Sequence, residues 1–95
     1  MNAKHIGSDF DDFLREEKTL AATEAAALKR VIAFQLAQEM KRGRISKSEM
    51  ASRMKTSRAA LERLLDPDNT SVTLATLARA GAALGQRLRV EFTKI

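Results

Sequence analysis

Residues 45–65 restrict the possible folds of this chain more than any other stretch. Met50, Ala51 and Met54 fall on one helical face, and Leu61, Leu64 and Leu65 fall on another. Residues three and four apart lie above one another on a helix, so each set reads as one short amphipathic helix. Thr56 and Ser57 stand between the two sets, and Ser or Thr just before an apolar-periodic run is a helix-start signal. Ser46 opens the first run in the same way. Glu49 follows it three residues later, which makes Ser46-x-x-Glu49 a candidate capping box. Ala51 is small enough to lie where two helices cross, and a larger side chain there would push them apart. The stretch therefore predicts two short helices joined by a tight turn.

That arrangement is a helix-turn-helix. It resembles the XRE (Cro and phage-repressor-like) family of DNA-binding domains over about residues 28–84. Lys47 opens the motif, Met50 and Ala51 fall in its first helix, and Met54 precedes the turn. Thr56, Leu61 and Leu64 take the inward positions of the second helix. There are two departures. Lys55 stands where the family usually has Gly, so a non-Gly residue is expected at positive φ there. Lys47 replaces the family's common Gln. The resemblance implies a mainly α, compact helical bundle of the lambda-repressor-like kind around the central motif.

It also implies which residues meet DNA. The helix over residues 57–65 is the expected recognition helix, its N-terminal end entering the major groove. With Leu61 and Leu64 inward, Ser57, Arg58, Ala60, Glu62 and Arg63 point outward, with Ala59 near the groove boundary. Arg58 is the strongest base reader, because a guanidinium bonds guanine O6 and N7 together. Ser57 suits a base edge or phosphate, Ala60 a thymine methyl, and Arg63 a phosphate. Ser46 and Lys47 lie at a helix N-terminus, which favours phosphate. Thr56 belongs to the same surface. In the turn-rich segment over residues 66–71, Asp66 and Asp68 would repel phosphate, so Asn69, Thr70 and Ser71 are the residues expected to face DNA.

Three domain-level segments emerge: an acidic lead over residues 1–22, the DNA-binding body over 23–85, and a tail over 86–95. Residues 1–7, with His5, show no periodicity and are expected to be loose. Ser8 is placed to cap a short helix whose Phe10, Phe13 and Leu14 form a small apolar face needing a docking site. A long helix is expected from about residue 21 or 23 to Arg42. Its stripe is Leu28, Ile32, Leu36 and Met40, widened by Val31, and Gly43 serves as a left-handed C-cap. Thr73 caps a further helix, with Val72 and Leu77 as a staple; Leu74, Leu77, Ala78, Gly81 and Leu84 face the core, and Gly85 ends it.

The tail changes period. Leu88, Val90 and Phe92 alternate with Arg87, Arg89, Glu91 and Thr93, which reads as a half-buried β-strand. Nothing else in the chain offers it a partner strand. Pairing with the same strand of a second copy across a two-fold axis would satisfy its backbone, so Leu88, Val90 and Phe92 are the expected dimerisation residues.

Charge sharpens the functional reading. The net charge is +5, but residues 1–24 hold three Lys/Arg against six acids, a net of −3, and residues 25–95 carry +8. A basic body suits a polyanion. With one His, no Cys and no Gly-rich phosphate loop, an enzyme is not expected, nor is a metal or cofactor site. No apolar run reaches a membrane span and no signal-peptide pattern opens the chain, so the expected location is the bacterial cytoplasm or nucleoid. The expected function is sequence-specific binding of double-stranded DNA by a homodimer at a pseudo-palindromic operator, as a transcriptional regulator of repressor type. The alternative is a HigA-like antitoxin, whose acidic lead, with Phe10, Phe13 and Leu14, binds a basic toxin protein while the body represses its own operon.

Overall fold

The chain has no proline before Pro67 and is rich in alanine over residues 21–33, conditions that favour uninterrupted helix. In the computed structural model, which describes the backbone of residues 3–94 and the side chains of residues 19–94, this region forms one helix. The described residues are mainly helical, with four helices and no strand: α1 (Ala3–Arg42), α2 (Lys47–Met54), α3 (Arg58–Leu65) and α4 (Leu74–Ala83).

Helix α1 corrects two expectations. Residues 3–7 are helical rather than loose, and Gly7 and Ser8 continue the helix rather than starting a separate one. The isolated turn signals at Gly7 and Ser8 are outweighed by the helix formers on both sides. The expected docking face of Phe10, Phe13 and Leu14, the Ser8 cap and His5 concern side chains outside the described residues.

The core is a single cluster in which α1 packs on α3, and α2 packs on both α3 and α4. It comprises Leu36 and Met40 from α1, Met50, Ala51 and Met54 from α2, Leu61 and Leu64 from α3, and Leu77 and Ala80 from α4. Ile45, Leu65 and Val72 close its edges. The inward face of α1 differs from the expected stripe. Lys29, Ala33, Leu36 and Met40 are buried and Ile32 is half-buried, whereas Leu28 and Val31 are 61% and 52% exposed. On α4, Leu74 and Ala78 are exposed instead of facing the core. That helix buries only Leu77 and Ala80, because it meets α2 along a narrow strip.

The helix ends share one device. After α1, the Ile45 N–H donates to Met40 O at 2.9 Å and the Arg44 N–H to Lys41 O at 3.1 Å. After α2, the Thr56 N–H reaches Ala51 O at 3.0 Å and the Lys55 N–H reaches Ser52 O at 3.1 Å. After α4, Gln86 bonds back to Gly81 O at 2.8 Å and Gly85 to Ala82 O at 3.0 Å. Each is a paired closure of the Schellman type, which requires one left-handed residue. Those residues are Arg44 (φ 54), Lys55 (φ 55) and Gly85 (φ 71). Lys55 therefore takes the positive φ expected of it. Gly43 does not; Arg44 holds the left-handed position instead.

Residues 86–94 form neither helix nor strand within the chain. The tail leaves α4 under tight control. A Cβ on Gly81 would stand 3.0 Å from Gln86 O, so this glycine accommodates the returning backbone rather than a neighbouring helix. The Gln86 side chain also donates to Glu39 Oε2 at 2.6 Å, tying the tail to α1.

Candidate nucleic-acid interface

Helix α3 is held in place by a buried lysine. Lys29 on α1 is 2% exposed, and its Nζ donates to the Asp66 carbonyl and, at 3.3 Å, to the Arg63 carbonyl. These carbonyls lie at the C-terminal end of α3, where a cation complements the helix dipole. Burial lowers the pKa of the Lys29 ammonium below its ordinary value, and the Asp66 carboxylate acts in the opposite direction.

The N-terminal end of α3 is set by Ser57, whose Oγ accepts from the Ala60 N–H at 3.0 Å. Ser46 does the same for α2, accepting from the Glu49 N–H at 3.1 Å. Only this half of the expected capping box forms. The Glu49 carboxylate turns along the helix to Arg53 Nη2 at 2.7 Å, while Arg53 Nη1 donates to Ala83 O at the end of α4.

The exposed ends of α2 and α3 are joined by a polar cluster centred on Glu62. Lys47 Nζ donates to both Glu62 oxygens, at 3.0 and 3.2 Å. Arg58 Nε stands 3.8 Å from the same carboxylate, and Arg58 Nη1 reaches Ser48 Oγ at 3.4 Å. All these side chains are exposed. Pairs of this kind contribute little to stability, but they restrict where Arg58 and Lys47 point. Glu62 as the hub, and Ser48 as a partner of Arg58, were missed in the sequence. The Lys47–Glu62 pair spans two helices and has no short-range spacing rule.

A second group lies beside this cluster. Thr56, Ala60, Arg63 and Asn69 line a cleft of about 150 Å³ between α3 and the start of α4, together with Thr73, Thr76 and Arg79. Two expectations change here. Ala60 is half-buried in the cleft, and Ala59 is the exposed alanine of the pair. The Asn69 side chain is taken up by its own loop: Oδ1 accepts from the Ser71 N–H at 2.9 Å, and Nδ2 donates to Arg63 O at 3.4 Å. These bonds shape the turn. Arg79, one turn and a half into α4, places a second guanidinium on the same cleft as Arg63.

The expected residues thus fall into two adjoining groups. Ser46, Lys47 and Arg58 lie on the exposed edge where α2 and α3 begin. Thr56, Ala60, Arg63 and Asn69 lie along the cleft, with Ser57 at the start of α3. The tail residues Val90 and Phe92 are largely or fully exposed, and Leu88 is about one-third exposed.

No protein-family model, curated protein or solved structure matches the chain. Among the described residues, no helix is long and apolar enough to cross a membrane.

Proposed function

We propose that this protein binds double-stranded DNA in a sequence-specific manner as a homodimeric transcriptional regulator of repressor type. The observation that carries the reading is the exposed start of α3. Arg58 projects there beside Lys47 at the start of α2, and both are held by Glu62. Two short helices joined through left-handed Lys55 support this reading, in which they act as a helix-turn-helix with the first turn of the second helix in a groove.

In this mechanism the first turn of α3 enters the major groove and Arg58 bonds a guanine edge through two nitrogens. Exposed Ala59, rather than Ala60, meets the base methyls. Ser57 keeps a hydroxyl proton to donate, since its oxygen accepts from Ala60. Lys47, Arg63 and Arg79 meet phosphates and fix the register, a role that carries no sequence information of its own. Lys47 and Arg58 leave Glu62 to meet the DNA, and because the Glu62 carboxylate repels phosphate, their new contacts must offset that loss. A dimer doubles the contacts and matches a pseudo-palindromic operator. The antitoxin reading rests on the acidity of residues 1–24 and on Phe10, Phe13 and Leu14 in sequence, so DNA regulation is the better supported of the two.

Selection of bound sequences from random duplexes tests the proposal. A symmetric consensus is expected, with guanine at the position that Arg58 reads. Recovery of unselected sequences, or no salt-sensitive retention of DNA, would overturn it.

A further inference from the structure

Helix α1 has apolar residues on two opposite faces. One face, formed by Ala33, Leu36 and Met40 with buried Lys29, is covered by the body. At roughly 100° per residue, Leu20, Ala27, Val31 and Phe34 lie on the opposite side, with Leu28 on its flank. Leu20, Val31 and Phe34 are 58%, 52% and 64% exposed, and Ala27 is exposed as well. From Leu20 the spacing is seven, four and three, and Glu24 fills the intervening position, so the a/d pattern of a helix seam is apolar except at Glu24. Phe10 and Phe13 continue the same register in sequence. The groove that Ile32, Gln35 and Glu39 of α1 form with Gln86, Leu88 and Arg89 lies to one side of this face, toward the body.

We infer that this face pairs with α1 of a second copy in antiparallel orientation. The inference deepens the homodimer reading and rests on it, but not on DNA contact. Charge sets the orientation. Asp9, Asp11, Asp12, Glu16 and Glu17 outnumber Lys4, Arg15 and Lys18 in the early part of α1. Lys41, Arg42 and Arg44 stand exposed at its end. A parallel pair would stack acid on acid. An antiparallel pair crossing at Ala27, the small residue of the seam, brings Asp12 beside Arg42 of the partner subunit. The same crossing sets Leu20 across from Phe34 of the partner subunit, and Glu24 across from Arg30 of the partner subunit. Arg30 is available for this, since its present contact with Asp68 is a loose 3.7 Å between exposed groups. A two-fold axis through Ala27 makes the surface self-complementary, as an isologous dimer requires.

The test combines stoichiometry with orientation. Sedimentation equilibrium should find the unaltered chain dimeric, with a dissociation constant that rises with salt. In Val31→Glu with Phe34→Glu it should rise at least tenfold, while helix content holds because both positions are exposed. The chain lacks cysteine, so single spin labels report orientation. In an antiparallel pair, labels at Thr23→Cys should lie roughly 12 Å apart along the axis and those at Ala37→Cys roughly 30 Å apart, at 1.5 Å per residue. Equal short distances at both sites indicate a parallel pair and overturn the inference. So does an unaltered dissociation constant in the double variant; if Val90→Pro then gives a monomer, the homodimer reading survives with the tail alone. A monomeric unaltered chain overturns both. Dimerisation only in complex with a basic partner protein overturns the inference in favour of that partner.

Discussion

Lys29 and Arg58 are both cations bonded within the chain, and their surroundings give them different roles. Arg58 is exposed and loosely held, so its removal should leave the fold intact. We expect Arg58→Ala to weaken binding to the selected operator by about 1–3 kcal/mol and to relax preference at one base pair. Competition titrations against operator and random DNA measure this. An equal loss on both would mean that Arg58 meets only phosphate. Lys29 is the reverse case. Lys29→Met removes two donors from the carbonyls of Arg63 and Asp66, but each carbonyl keeps another partner in Asn69. The cost in urea unfolding should therefore be modest, about 1–2 kcal/mol. The pH dependence gives a second reading. With its folded pKa lowered from 10.5, Lys29 releases its proton earlier in the folded state than in the unfolded one. The folded state then binds fewer protons over the interval up to 10.5, so this residue makes stability rise with pH there. The burial cost is full below the folded pKa and gone above the unfolded one. Lys29→Met should lack that alkaline contribution.

At the scale of elements, the short helices could be read from residues because their signals are local. Ser46, Ser57 and Thr73 cap α2, α3 and α4 through neighbours three residues away. The apolar positions of α2 and α3 could only face each other. Helix α1 was harder. Its apolar residues fill two opposite faces, and periodicity alone cannot say which meets the body. The stripe expected through Leu28 and Val31 took the wrong one in its first half, while Ile32, Leu36 and Met40 were correctly placed. Lys29 was invisible as a core residue because its partners are main-chain atoms 34 and 37 residues away. In the candidate interface, Arg58 and Lys47 were found as exposed cations, but not Glu62, which joins them across helices. The turn offers a direct test. Left-handed backbone costs a non-Gly residue about 1–2 kcal/mol, while glycine gives back about 0.5–1 kcal/mol in unfolded-state entropy. Lys55→Gly should thus stabilise the fold by about 0.5–1 kcal/mol in thermal unfolding. A lower melting temperature would show that the Lys55 side chain makes a compensating contact. Arg44 presents the same opportunity after α1.

At the scale of the molecule, the long α1 gives extents of 65 × 29 × 19 Å, and the tail leaves the body after Gln86. Val90→Pro removes a backbone donor and blocks regular strand pairing. We expect it to weaken dimerisation and operator binding while circular dichroism stays helical. Light scattering that still reports an undiminished dimer would leave α1 as the sole interface. In the proposed DNA-bound dimer, the joint at Gly81 would link the tail to the DNA-facing helices. Gln86 is fastened there by its backbone bond to Gly81 O and by its side chain to Glu39. The start of the tail is thus tied to α4 and α1. For a dimer that joins through its tails, this joint acts as a ruler: it sets the distance and rotational phase between two reading heads that must match successive grooves about 34 Å apart. A methyl group at Gly81 would push on Gln86 O and tilt that ruler. Gly81→Ala should accordingly change the half-site spacing recovered by selection while leaving the half-site sequence as it was.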